Sequence, residues 1–336
     1  MKHGANIYKY AKQIGCTSDE IIDFSSNINL YQPKAILEIT NAEITKYAQS
    51  NYKRLKKVIA QKYAIDTVQI ALFNGATAAI YALLHQLKQK KVVLYAPLYG
   101  EYEKAALESQ KEIFKINRLQ NLDAKVPKKS IVVFVNPSTP DGKFYALETL
   151  FSYWKKQKCT IILDESFLEF EENPSLRGMI NEYEKLYIVQ SFSKFYSCAG
   201  VRIGAIFSHK KSLQKLQTPL WNISSLDVAF LQERLQESAF DKRSLKLHTQ
   251  QKEELLAILQ KSQLFEEIVQ SDANFILTKS SKSEAIFTHL LKHKILTRTC
   301  GSFDFLSNAY LRFAVKDKDS HRQLKKALAD FLENHE

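Results

Sequence analysis

The sequence predicts an α/β protein with a large, mostly parallel sheet covered by helices on both faces (an α/β/α layer arrangement) and a smaller α+β unit. Three observations carry this. From Ile70 onward, short apolar runs alternate with helical stretches, the pattern of strands buried on both faces and joined by helical crossovers. Nearly every apolar run ends in polar or turn-forming residues, so those residues converge on one edge of the sheet, where α/β proteins bind ligands. After about Leu213 the pattern changes to long helical stretches and fewer strands. The expected large domain spans 41–213, and the small one combines 1–40 with 214–336.

In chain order, Ile7 to Ile14 is a short helical stretch, and Ile21-Ile22-Asp23-Phe24 leads into the polar turn Ser25-Ser26-Asn27-Ile28-Asn29. Tyr52 to Tyr63 reads as a helix with Leu55, Val58 and Ile59 on one face. The first buried strand, Ile70 to Phe73, passes through Asn74-Gly75-Ala76-Thr77 into a helix from Ala78 to Leu87. Four more strands follow: Val92 to Tyr95, ended by Pro97; Ile131 to Val135, ended by Asn136-Pro137; Thr160 to Leu163, ended by Asp164-Glu165; and Leu186 to Val189, ended by Ser191 and Lys194. Ala205-Ile206-Phe207 is another. The small unit then comprises a broken helix from Leu226 to about Gln260, strands at Phe275 to Leu277, Ile295 to Arg298 and Tyr310 to Ala314, and a closing helix from Ser320 to Leu332. The first 40 residues are expected to pack against it.

Composition bounds the function classes. With 45% hydrophobic and 25% charged residues, the chain of 336 residues has the make-up of an ordinary globular protein able to bury a large core. Its net charge of +12 suits anionic ligands or nucleic acid. The lysines are scattered over expected helix surfaces and no nucleic-acid-binding motif occurs, so no nucleic-acid partner is expected. Cys16, Cys159, Cys198 and Cys300 lie far apart and form no CxxC pair, as in a reducing cytoplasm. The segment Met1 to Asn6 lacks the apolar core of a signal peptide, and no run approaches the length of a membrane span. A cytoplasmic protein with no membrane partner and no metal is expected.

The strand ends carry the chemistry. Lys194 stands between the hydroxyl residues of Ser191-Phe192-Ser193-Lys194-Phe195-Tyr196, with Arg202 eight residues on. A lysine that forms an imine must be near neutral to attack a carbonyl, and a desolvated or cationic setting lowers its pKa from about 10.4. Arg202, Ser191 and Ser193 suit the grip of a phosphate. Asn74-Gly75-Ala76-Thr77 by itself reads first as a plain Asn-Gly turn, but it opens a helix whose free N–H groups favour an anion, and paired with Ser191, Ser193 and Arg202 it becomes half of a phosphate cup. Tyr99 suits stacking on a flat heterocycle or a place in the core, and Asn136 suits a ring hydroxyl or a simple loop. Asp164, a carboxylate at a buried strand end, needs a positive partner, for which a protonated pyridine nitrogen would serve.

Asn74-Gly-Ala-Thr, Asn136-Pro-Ser-Thr-Pro-Asp-Gly, Asp164-Glu-Ser-Phe and Ser191-Phe-Ser-Lys with Arg202 stand in the order and spacing of fold-type I pyridoxal-phosphate enzymes, and the chain resembles their class I/II aminotransferase superfamily over nearly its whole length. The resemblance implies pyridoxal 5′-phosphate as cofactor, joined to Lys194, with Asp164 on the pyridine nitrogen, Asn136 on the ring hydroxyl and Tyr99 stacked on the ring. It places Ala76, Thr77, Ser191, Ser193 and Arg202 on the cofactor phosphate, and Arg312, in Tyr-Leu-Arg-Phe-Ala-Val, on the substrate carboxylate. It also implies a homodimer.

Within the superfamily two branches compete. His3-Gly-Ala-Asn-Ile, Asp23-Phe-Ser-Ser-Asn-Ile-Asn, Lys194-Phe-Tyr and Asp164-Glu-Ser-Phe resemble the threonine-phosphate decarboxylases of cobamide synthesis. Histidinol-phosphate aminotransferases are similar but usually carry tyrosine where this chain has Phe167. The decarboxylase resemblance implies that His3, Asn27, Asn136 and Arg298 join Arg312 in holding an O-phospho amino acid, either O-phospho-L-threonine or O-phospho-L-serine. Tyr47 matches a tyrosine that reaches the partner subunit's cofactor phosphate, although Ala48 replaces the usual proline. A basic binding module without catalysis is the contrasting reading, which the joint presence of Lys194, Asp164 and Arg202 opposes.

Overall fold

The computed structural model describes residues 6–34 and 44–334. Its elements are α1 (Ile7–Ile14), β1 (Ile22–Asp23), α2 (Lys53–Tyr63), β2 (Ile70–Asn74), α3 (Gly75–Gln86), β3 (Lys91–Ala96), α4 (Glu101–Glu108), β4 (Glu112–Asn117), β5 (Ile131–Val135), α5 (Glu148–Lys156), β6 (Thr160–Asp164), β7 (Leu186–Ser191) and β8 (Ile203–Ser208). They continue as α6 (Lys210–Leu213), α7 (Ser225–Arg234), α8 (Phe240–Lys261), β9 (Glu267–Ile268), β10 (Phe275–Lys279), α9 (Ser283–Lys292), β11 (Ile295–Leu296), β12 (Arg298–Thr299), β13 (Tyr310–Ala314) and α10 (Lys318–Glu333).

Seven strands form the main sheet in the order β2-β8-β7-β6-β5-β3-β4. The pairs from β7 to β4 are parallel, and β8 runs antiparallel to both its neighbours. Alternate residues of the central strands enter different cores. Val93, Tyr95, Val132, Phe134, Ile161 and Leu163 belong to one cluster, with Leu55 of α2 and Trp154 of α5. Val92, Leu94, Ile131, Val133 and Ile162 belong to the other, with Leu83 of α3 and Ala105 of α4. Burial on both faces is why these strands read as continuous apolar runs rather than alternating ones.

The sequence reading lacks the edge strand β4. Its residues Glu-Ile-Phe-Lys-Ile-Asn form no continuous apolar run because the strand closes the sheet, pairing only with β3 and burying only Ile116, while Lys115 reaches Glu103 and Asp304. The long helix after Leu226 is broken, at residues 235–239 between α7 and α8. Phe24 joins Leu255, Ile276, Ile295, Phe313 and Phe331 in a third core, and β1 pairs in parallel with β11, Ile22 opposite Ile295. Among the described residues no helix is long and apolar enough to cross a membrane.

Candidate active site

The direction of the strands determines which residues meet. The carboxyl ends of β2, β3, β5, β6 and β7 share one edge, and the reversed strand β8 enters there, so Arg202 arrives beside residues that leave the other strands. Register fixes the alignment: Val135 lies opposite Asp164, Ser191 opposite Gly204 and Asn74 opposite Ile203. A cavity of about 410 Å³ opens at this edge, lined by Ala76, Thr77, Tyr99, Thr139, Asp164, Phe167, Ser191, Ser193, Lys194 and Arg202. It is also lined by Asp23, Ser25, Ser26 and Asn27 from the amino-terminal segment and by Arg298, Phe303 and Arg312.

At one end, α3 starts without a side-chain cap from Asn74, leaving its first-turn N–H groups, including those of Ala76 and Thr77, available to an anion. Gly75 has φ +77°, and a Cβ there would lie 2.6 Å from Arg202 Nη2. The glycine therefore lets the guanidinium lie against the helix start. Gly204 allows a second close approach, because a Cβ on it would stand 2.3 Å from the Ala76 nitrogen. Arg202 Nη1 donates to Ser193 Oγ at 3.4 Å and to the Ala199 carbonyl at 3.2 Å, and the Thr77 and Tyr99 hydroxyls are 3.4 Å apart. Cation, helix terminus and hydroxyls form a cup for a phosphate-sized anion.

In the middle, Lys194 Nζ donates to Asn27 Oδ1 at 3.1 Å. Burial, with Arg312 and Arg202 nearby, lowers its pKa to about 8, against the pull of Asp164. Asp164 itself is buried, which pushes its carboxyl upward, while hydrogen bonds from Ser166 and Tyr102 hold it down. Its Oδ1 accepts from the Ser166 N–H at 3.0 Å and its Oδ2 from the Tyr102 hydroxyl at 2.9 Å. This is a fixed anion suited to a cationic ring nitrogen, and with the phosphate cup it fits pyridoxal 5′-phosphate at both ends.

At the far end β12 and β13 pair so that Arg298 stands directly opposite Arg312. Like charges in such a cross-strand pair repel. Burial, ahead of the neighbouring Arg298, lowers the Arg312 pKa to about 10, and burial lowers that of Arg298 too. Arg312 Nη1 donates to Thr139 Oγ1 and Nη2 to the Ser25 carbonyl, both at 2.9 Å, with the guanidinium over the Phe275 ring. Arg298 Nη2 donates to Ser302 Oγ at 3.0 Å.

The structure brings Ala76, Thr77, Tyr99, Asp164, Ser191, Ser193, Lys194, Arg202, Asn27, Arg298 and Arg312 onto this one cavity. Asn136 is not among the residues that line it. The Asn136 amide donates to the Tyr145 carbonyl at 2.9 Å and accepts from the Tyr145 N–H at 2.8 Å, closing the loop beyond β5. Thr139, three residues on, lines the cavity instead. Tyr47 is 79% exposed and stacks on Trp221, away from the cavity wall of its own chain. His3 lies outside the described residues. Sequence reasoning missed Tyr102, Thr139, Ser166 and Ser25. Thr139 was within reach, standing inside a motif already singled out, whereas Tyr102 carries no signal separating it from fifteen other tyrosines.

Comparison with known proteins agrees with this geometry. The sequence matches the family described as aminotransferase class I and II over residues 19–333. It is 29% identical over 355 residues to the adenosylcobalamin biosynthesis bifunctional protein CobDQ of Leptospira interrogans, covering 98% of this chain but only 41% of that protein's length. It is 25% identical to the threonine-phosphate decarboxylase of Salmonella typhimurium, covering 98% of this chain and 96% of that one. The histidinol-phosphate aminotransferase of Clostridium acetobutylicum superposes with a TM-score of 0.84 at 27% identity, over 94% of this chain and all of that one. The histidinol-phosphate aminotransferase of Sinorhizobium meliloti, solved in complex with pyridoxal 5′-phosphate, superposes with a TM-score of 0.82 at 18% identity, over 98% of this chain and 95% of that one. The chain belongs to the aminotransferase class I and II family, whose cofactor is pyridoxal 5′-phosphate.

Proposed function

We propose that the protein decarboxylates an O-phospho amino acid, O-phospho-L-threonine or O-phospho-L-serine, to the amino-alcohol phosphate that enters a cobamide nucleotide loop. The observation that carries this is the cross-strand register placing Arg298 opposite Arg312 on the cavity wall beyond Lys194. Two buried guanidinium groups there, separate from the Arg202 cup, suit a substrate with two anionic ends. The relatives named for threonine-phosphate decarboxylation and adenosylcobalamin synthesis support the reading.

Pyridoxal phosphate, when bound, supplies an aldehyde for the substrate amine and a cationic ring that draws electrons from Cα. The chain supplies the rest. Arg202, Ser191, Ser193 and the start of α3 would hold the cofactor phosphate, Asp164 the ring nitrogen, and Tyr99 the face of the ring. Arg312 binds the substrate carboxylate, and Arg298 with Asn27 and His3 binds its phosphate. Two separate grips fix the rotation about Cα, which selects the bond to carboxylate for cleavage. Lys194, held partly neutral, would hold the cofactor and supply the proton that Cα takes up after CO₂ departs. Tyr47, exposed beside Trp221, completes the phosphate cup of a second copy in a homodimer.

A second reading, histidinol-phosphate aminotransferase, is favoured by the Clostridium acetobutylicum neighbour. Phe167 stands against it: the ring lines the cavity edge-on to Phe275 and has no hydroxyl to offer a cofactor oxygen. The deciding experiment incubates the purified holoenzyme with O-phospho-L-threonine, with O-phospho-L-serine, and with histidinol phosphate plus 2-oxoglutarate, and quantifies CO₂ and glutamate. CO₂ without glutamate is expected; glutamate without CO₂ overturns the proposal.

A further inference from the structure

Arg118 and Asp141 form an ion pair with side chains 0% and 2% exposed, and neither residue lines the cavity. Arg118 follows β4, and its Nη2 donates to Asp141 Oδ1 at 2.5 Å and to the carbonyl of Thr139 at 3.4 Å. Asp141 Oδ2 accepts from the Tyr145 hydroxyl at 3.1 Å. Two further Arg118 donors, Nε and Nη1, are buried without a hydrogen-bond partner among the described residues. An ion pair this deep and incompletely satisfied is a poor source of net stability, because desolvation offsets its attraction. What it does achieve is local: one guanidinium nitrogen binds both the side chain of Asp141 and the backbone of Thr139, clamping a turn of three residues.

That turn ends at the substrate grip. The Thr139 hydroxyl accepts from Arg312 Nη1, and the Ser25 carbonyl accepts from Nη2. Each terminal nitrogen of Arg312 keeps a second N–H, and Nε has no partner among the described residues. The two tethers therefore orient the planar fork without using all its donors, leaving a face that can meet a carboxylate at two points.

We infer that the buried Arg118–Asp141 pair is a positioning device for the carboxylate grip, holding the Thr139 hydroxyl where it aims Arg312. The inference rests on the reading that Arg312 receives the substrate carboxylate. Asp141 and Arg118 touch no ligand and act only through Thr139.

The test compares the KM for O-phospho-L-threonine with the inhibition constant of its decarboxylated product, 1-amino-2-propyl phosphate, which lacks the carboxylate. Thr139→Val is expected to raise the KM about tenfold, the loss of one hydrogen bond to a charged group, and to leave the product constant within about twofold. Thr139→Ser restores the KM. Asp141→Asn raises the KM in the native background and adds nothing in the Thr139→Val background, as coupled residues do. Arg118→Lys, which keeps the charge but loses the fork, serves if Asp141→Asn does not fold. Arg312→Gln separates the two levels: if it leaves the KM unchanged, the carboxylate reading itself fails. If it raises the KM while Thr139→Val does not, or if Asp141→Asn costs the same in both backgrounds, the positioning role is overturned and the carboxylate reading stands.

Discussion

Lys194 should titrate in the apoprotein near pH 8 rather than in the ordinary lysine range. Its Nζ is enclosed with Arg312 and Arg202, and burial with those two charges lowers its pKa from 10.5 to about 8. At pH 7 about one molecule in ten would then carry the neutral amine, against fewer than about one in a thousand for an ordinary lysine. The measurement is the rate at which apoprotein captures pyridoxal phosphate, followed by absorbance between pH 6 and 10. It should rise and level off around pH 8. The same shift has a stability consequence with a definite sign. Between pH 8 and 10.5 the unfolded chain holds a proton on Lys194 that the folded chain has lost, so this residue's contribution improves as pH rises through that window. Below pH 8 the buried charge costs the folded state up to about 3 kcal/mol, less whatever solvent recovers at its partly exposed side chain. The stability difference between native protein and Lys194→Met, measured by urea unfolding, isolates this from the other titrating groups. The variant should be relatively more stable at pH 7 than at pH 10.5. A capture rate still rising tenfold per pH unit at pH 9.5, with no pH dependence in the stability difference, would refute the electrostatic account.

Three other outcomes follow from particular contacts. Gly204→Ala puts a Cβ 2.3 Å from the Ala76 nitrogen, a clash with backbone rather than with a flexible side chain; cofactor affinity should fall at least about tenfold in a fluorescence titration. Tyr102→Phe removes the donor 2.9 Å from Asp164 Oδ2, and the loss of about 1–3 kcal/mol should appear as weaker cofactor binding with the fold intact by circular dichroism. Arg177→Met leaves the buried carboxylates of Glu165 and Glu169 without their cation. Urea unfolding at pH 7 should show a loss of about 3–5 kcal/mol, and the loss should shrink at acid pH as the carboxylates take up protons.

The phosphate cup and Lys194 were legible because their chemistry is local. Ser191, Ser193 and Lys194 leave one strand together, and Asn74 to Thr77 form one turn, so residue types and spacing already define what they can bind. Asp164 was legible for a related reason, since a carboxylate closing an apolar run has few alternatives to a ligand-facing role. Asn136 was less legible, because its place in a strand-end motif says nothing about which way the amide turns. In the folded chain the amide is hydrogen-bonded to the peptide groups of Tyr145. Thr139 depends on Arg312, 173 residues away, and no local pattern encodes that meeting. The edge strand β4 was lost because Ile116 alone of its residues is buried, so no continuous apolar run marks it.

The cavity's charge balance bears on what it is built to receive. Arg202, Lys194, Arg298 and Arg312 line it, while the opposing anions are Asp164 and Asp23. Asp23 is already engaged, its Oδ1 accepting from the N–H groups of Ser25 and Ser26 and from the Ser25 hydroxyl. Four cations face two carboxylates, and the lowered pKa values of Lys194 and Arg312 register the mutual repulsion of the cations alongside desolvation. One phosphate at the α3 end would answer Arg202, and Arg298 and Arg312 would face a different ligand group. A second ligand with two anionic groups would answer both arginines. An amino acid with a second anionic group would meet both guanidinium groups, where a single carboxylate would meet one. Charge balance at the far end thus favours doubly anionic amino acids over neutral ones, independently of which bond at Cα is broken.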